Sequence, residues 1–283
     1  MKLTLGFSPC PNDTFIFHGI ANRKVDTEGL DFEIFMADVE DLNRTAFEGK
    51  ASVLKLSFHA YAHVSADYLI LDSGGAIGRG NGPLLVSKRE IKLEDIDNLL
   101  IAIPGIYTTA NLLLSIFRPM AINRKVYLFS DIPDAVSDGE AEAGIIIHET
   151  RFTYRAKGLI QIADLGLLWE GMTGLPVPLG AIAIHRGIPE NVAVSVNRII
   201  RRSIEYAKNN ISETYEYIKQ YSQETSDDVI RKHIALYVNN YTEGMGQEGR
   251  EAVKDMFRRA ADAGVIPVPG QEIFLSPDIK KGL

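Results

Sequence analysis

His148 closes the apolar run Gly144-Ile145-Ile146-Ile147. An imidazole at the end of a buried strand is a candidate general base, because its charge changes near neutral pH. A histidine hydrogen-bonded at the edge of a cleft is the competing reading. Other polar residues stand just past apolar runs in the same way: Ser8 after Leu3 to Phe7, Asp38 after Phe32 to Met36, and Ser57 after Val53 to Leu56. Thr108 and Thr109 follow Leu100 to Ile103 across Pro104-Gly105. In open α/β sheets such positions gather around one crevice at the carboxyl ends of the strands. Neutral hydroxyls beside helix N-termini suit a carboxylate ligand, since unpaired backbone N–H groups and the helix dipole favour an anion. Lys55 and Ser57 are two residues apart and project to one face of a strand. A charge at a sheet edge would also explain Lys55, and a local backbone bond would explain Ser57.

Ser8-Pro9-Cys10-Pro11-Asn12-Asp13-Thr14-Phe15 is the most unusual stretch in the chain. Its prolines stiffen a strand-to-helix turn, and Asn12 or Asp13 can cap the helix that follows. Cys10 has no neighbour in sequence that would lower its pKa, so a buried, inert thiol is expected. His18, His59, His63, His185 and His233 fall in helical stretches or near a later strand and read as packing or surface residues. His148-Glu149-Thr150-Arg151-Phe152 lacks the second histidine of a zinc-protease helix, so no metal site is expected. Gly78-Arg79-Gly80-Asn81-Gly82 has its glycines misplaced for a nucleotide loop and reads as a flexible turn.

Elements that could position these residues follow from periodicity. The first third alternates short apolar runs with stretches of helical spacing, which favours parallel βαβ units. A second set starts near Leu99, with a helix opening at Thr108 or Thr109 and strands at Lys125 to Phe129 and Ala143 to Ile147. Two further strands, Leu84 to Ser87 and Ala181 to His185, are each preceded by Gly and Pro and bracket this middle segment. The chain is therefore expected to form a larger lobe from 1–88 and 179–283 and a smaller lobe from 89–178. Beyond Pro189 four stretches carry apolar residues at three- and four-residue spacing, a helical tail that should pack on one lobe.

Composition agrees with two folded lobes: 283 residues, 46% hydrophobic and 24% charged. The formal net charge is -7 and the basic residues are scattered, which argues against nucleic acid as a partner. Arg198, Arg201 and Arg202 read as a solvated helix face. One cysteine excludes an internal disulfide, and the first residues offer no signal-peptide core, so cytoplasm is the default. No apolar stretch approaches the roughly 20 residues that cross a bilayer, so no membrane partner is expected.

Several of these segments together carry a family resemblance. Gly6-Phe7-Ser8-Pro9-Cys10-Pro11-Asn12-Asp13-Thr14-Phe15, Lys55-Leu56-Ser57, Ser73-Gly74-Gly75-Ala76-Ile77-Gly78-Arg79-Gly80, Tyr107-Thr108-Thr109-Ala110 and Ile146-Ile147-His148-Glu149-Thr150-Arg151-Phe152-Thr153-Tyr154 resemble the 1,4-dihydroxy-6-naphthoate synthases of the futalosine route to menaquinone. The resemblance implies an α/β, two-lobed type II periplasmic-binding-protein-like fold with a ligand cleft between the lobes. It implies a lyase that converts cyclic dehypoxanthinyl futalosine to 1,4-dihydroxy-6-naphthoate and releases a dihydroxyacetone-type fragment, with no cofactor. His148 would be the proton acceptor. Lys55, Leu56, Ser57, Thr109 and Ala110 would bind substrate, with Thr108, Ser8 and Asp38 added from their places at strand ends. The partner would be a small molecule carrying an aryl carboxylate, held by Ser57, Thr109 and adjacent backbone N–H groups. A solute-binding protein of the same fold and the related chorismate dehydratase are the competing readings. The first would need an export signal or anchor, and the second lacks the Ser-Pro-Cys-Pro-Asn-Asp stretch.

Overall fold

Leu3, Leu5 and Phe7 of strand β1 (Lys2–Phe7) are fully buried, and the short turn after them leads into helix α1 (Pro11–Ala21) with Pro11 at its first position, where a missing N–H costs nothing. The structure, a computed structural model, describes residues 1–223, 226–270 and 272–276. The alternation continues through β2 (Asp31–Met36), α2 (Val39–Phe47), β3 (Val53–Ser57), α3 (Phe58–Val64), β4 (Tyr68–Ile70) and β5 (Ala76–Gly78). β1 pairs in parallel with β2 and with β3, as right-handed βαβ units require. β3 is buried at all five positions because β1 flanks it on one side and a late strand on the other. Lys55 therefore sits on a central strand and is no edge charge.

The middle of the chain builds a second sheet from β6 (Leu84–Ser87), β7 (Ile101–Ile103), β8 (Arg124–Val126), β9 (Ala143–Ile146) and β10 (Ile160–Asp164), in the order β10-β6-β9-β7-β8. Helices α4 (Thr109–Phe117), α5 (Ile132–Ser137), α6 (Thr150–Thr153) and α7 (Leu165–Thr173) connect and cover it. β6, expected in the first lobe, is antiparallel to β9 and β10 here, with Leu84 opposite Ile146 and Asp164. The crossing thus falls between β5 and β6, ahead of position 88. Leu84-Leu85-Val86 is apolar on both faces and would fit either sheet, so only long-range pairing decides its place. The chain returns on β11 (Val177–His185), which runs antiparallel to β5, β3 and β4 and completes a six-stranded first sheet.

The tail is helical as expected: α8 (Glu190–Asn209), α9 (Ile211–Tyr221), α10 (Asp227–Tyr237), α11 (Asn240–Glu243) and α12 (Gly246–Asp262). α8 buries Val196, Ile199, Ile200 and Ile204 in the core cluster that holds Ile16 and Ile20 of α1, and Ser203 donates to the Ile16 carbonyl at 2.6 Å. On α10 the residues Ile230, His233, Ile234 and Tyr237 share one buried face. Phe274 bridges Ile70, so tail residues run beside β4 at the border of the first sheet. The expected range of the larger lobe extends to 277–283, outside the described residues. No described helix is long and apolar enough to cross a membrane.

Candidate active site between the lobes

A cavity lies between the two sheets, lined by the ends of β1, β3 and β9, the start of α4 and both crossing segments. Ser8, Lys55, Leu56, Ser57, Thr108, Thr109, Ala110 and His148 all reach it. Asp38 does not. Its carboxylate accepts the Glu40 amide at 3.0 Å and caps α2, which is what a carboxylate just before a helix does when backbone donors are closer than any ligand.

The first lobe contributes a connected, buried polar network. Lys55 Nζ donates to Asp13 Oδ1 at 2.6 Å, with both side chains nearly inaccessible. Asn12 Nδ2 also donates to Oδ1, at 2.8 Å, while the Ser8 hydroxyl donates to Oδ2 at 2.8 Å. Asn12 is thereby oriented so that its oxygen accepts from the buried His233 Nε2 at 2.9 Å. Asn43 brackets Ser57, donating to its oxygen at 3.1 Å and accepting its amide at 3.0 Å. The Ser57 hydroxyl keeps its own proton to give. Glu40, buried on α2, accepts the Ile106 amide at 2.9 Å and so ties the second lobe's loop to the first lobe.

His148 stands two residues past β9 with a backbone φ of 54°, a left-handed conformation that few residues other than glycine adopt. Its ring lies edge-on to Phe129, with centroids 5.0 Å apart, and parallel to His233, with centroids 6.0 Å apart. Burial pushes its pKa down to about 4, against the opposing pull of Asp13 and with a further push from Lys55. The ring is neutral at pH 7. His233 is wholly buried and pushed well below the ordinary histidine range by the same desolvation, and next by His148. It was read from sequence as a packing residue. α10 carries it into the site, with Nδ1 3.6 Å from Glu149 Oε2.

α4 presents its N-terminus to the cavity. The Thr108 side chain caps the Asn111 amide at 3.3 Å, so the first-turn amides of Thr109 and Ala110 are left for a ligand. The Thr109 hydroxyl, expected to hold a carboxylate, is already engaged: it donates to the Leu179 carbonyl at 2.6 Å and accepts the Phe58 amide at 3.0 Å. That hydroxyl fastens α4 to the return crossing and to the first lobe. What Thr109 could offer a ligand is its backbone amide in the first turn of α4.

Cys10 is buried, and burial together with Glu149 raises its thiol pKa well above the ordinary value, which suits an inert thiol. Cys10, His148 and Glu149 do bring one donor atom each within 4.8 Å of one another. A soft cation could use them only by displacing the thiol proton, which that burial opposes. The glycine-rich segment is held, not loose: Arg151 donates to the carbonyls of Gly80 and Gly82, and the Gly80 amide donates to Glu170 at 2.6 Å. Asn12, Asp13, Asn81, His233 and Tyr237 were not singled out from sequence as site residues. The octapeptide pointed to the first two, but nothing local marks the others.

A cavity closed by two α/β lobes that the chain crosses twice defines the periplasmic-binding-protein fold. The alkanesulfonate-binding protein of Xanthomonas axonopodis pv. citri, solved with MOPS bound, superposes with a TM-score of 0.73 over 98% of this chain and 96% of its own, at 13% identity. Within that fold, the chain belongs to the menaquinone biosynthesis family, whose model matches residues 3–262. It is 43% identical over 273 residues to the 1,4-dihydroxy-6-naphtoate synthase of Thermus thermophilus, covering 96% of this chain and 99% of that one. The enzyme of that name from Streptomyces coelicolor is 36% identical over 280 residues, covering 97% and 98%. A crystal structure of an Archaeoglobus fulgidus protein superposes with a TM-score of 0.89 at 37% identity, over 94% of this chain and 98% of that one.

Proposed function

We propose that this protein is a cytoplasmic, cofactor-independent lyase of menaquinone biosynthesis that converts cyclic dehypoxanthinyl futalosine to 1,4-dihydroxy-6-naphthoate. The observation that carries the reading is the His148 imidazole sharing one cavity with Ser57 and the N-terminus of α4. The amides of Thr109 and Ala110 and the Ser57 hydroxyl take the aryl carboxylate, with Lys55 lining the same cavity. Ser8, which gives its proton to Asp13, holds the Lys55 partner in place.

His148 accepts a proton from a hydroxyl on the sugar-derived part of the substrate. The O–H electron pair closes a carbonyl on the departing dihydroxyacetone-type fragment, while the C–C pair enters the ring and completes the aromatic naphthoate. The proton ends on His148 and returns to the products, so no oxidant or reductant is consumed. Aromatisation supplies the driving force, and the lowered pKa of His148 keeps the ring unprotonated and ready to accept.

Incubating the purified protein with cyclic dehypoxanthinyl futalosine and weighing the products by mass spectrometry tests the reaction. The same assay with chorismate excludes the dehydratase, and binding without turnover would indicate a solute-binding protein. His148→Ala should lower kcat by roughly 10²–10⁴-fold with substrate affinity nearly unchanged. Normal turnover by that variant rejects the base.

A further inference from the structure

Asn81 is completely buried, it lines the cavity, and neither its amide nitrogen nor its amide oxygen has a hydrogen-bond partner. Buried amides without partners are rare because they forgo water on both sides. Asn81 is also firmly placed. The carbonyls on either side of it, of Gly80 and Gly82, accept from Arg151, whose other contact is Asp164 at 2.7 Å. Its amide lies over Gly78, where a Cβ would stand 2.5 Å from Nδ2, so a side chain at 78 would displace it. The segment that fixes Asn81 is the crossing between the lobes, beside Pro83 in the cavity wall.

We propose that Asn81 recognises the hydroxyl-bearing, sugar-derived part of the substrate, an assignment that rests on the lyase reading above. An amide offers one acceptor and two donors, and a hydroxyl is the common group that can satisfy both kinds at once. A carboxylate only accepts and would leave the Asn81 oxygen unpaired. The aryl carboxylate belongs instead with the all-donor set of Ser57 and α4. Asn81 thus distinguishes substrate from product, because only the substrate still carries those carbons.

Asn81→Leu removes the amide at similar volume. Its kcat/KM for cyclic dehypoxanthinyl futalosine should fall about tenfold or more, while the affinity for 1,4-dihydroxy-6-naphthoate stays within about twofold of wild type. The unliganded variant should melt no lower than wild type, since the lost amide had no partner to lose. Should Asn81→Leu not fold, Asn81→Ala gives the same substrate-to-product comparison. An unchanged kcat/KM overturns the proposal, and so does an equal loss for substrate and product. A wild-type protein that does not turn over this substrate overturns the lyase reading and this inference together; an active wild type with an unaffected variant overturns the inference alone.

Discussion

The two walls of the cavity are built on opposite plans. On the first lobe, charge is placed and paired: Lys55, Asp13, Asn12 and Ser8 form one connected set on β3, α1 and the turn after β1. On the second lobe, the groups lining the cavity carry no formal charge, and the Arg151–Asp164 pair serves to hold the crossing segment. A neutral ring sits on a left-handed backbone, and a helix start offers bare amides. The first wall fixes geometry through interactions that cannot be given up without harm, and the second keeps groups in reserve for a ligand. The difference separates residues whose loss should unfold the protein from residues whose loss should only silence it.

Asp13→Ala tests the first wall most severely. It leaves the Lys55 ammonium buried without its partner and should cost about 3–5 kcal/mol of stability, read as a lower denaturant midpoint. Asp13→Ala with unaltered stability would erase the contrast between the walls.

A pH series sharpens the comparison, with His148 on the second lobe and His59 on α3 of the first. His148 and His59 both have folded pKa values near 4, mainly through burial, against an ordinary value near 6.5. Between those values the unfolded chain binds more protons, so both histidines make stability decline as pH falls from about 6.5 towards about 4. Below that range they cause no further loss. His148→Gln should flatten part of the decline in thermal melts, and the acid limb of kcat/KM should lie near pH 4 instead of 6.5. A limb at 6.5 would mean the ring is solvated in the working enzyme.

The smallest effect belongs to Asp38→Ala, which should cost about 0.5–2 kcal/mol through the lost cap and leave KM unaltered. A rise in KM would return Asp38 to the substrate.

Much of the site was legible because strand ends gather at one crevice whatever the details of packing. That rule named Ser8, Ser57, Thr109 and His148, and all four line the cavity. What stayed hidden depends on partners distant in sequence. Leu84-Leu85-Val86 carries no mark of which sheet will pair with it. His233 sits on an amphipathic helix like any core histidine, and only the docking of α10 against α1 brings it to His148. Asp38 misled because a helix cap and a ligand contact look alike at a strand end. Thr109 lines the cavity as expected of a strand-end residue, but its hydroxyl is used between the lobes and its amide is what remains.

The positive φ at His148 has an evolutionary corollary. Glycine is the substituent that relaxes such a backbone most completely, and it has no ring. Selection of variants for heat resistance alone would drift towards glycine at this position and discard the proposed proton acceptor, so robustness and the proposed turnover pull the same codon in opposite directions.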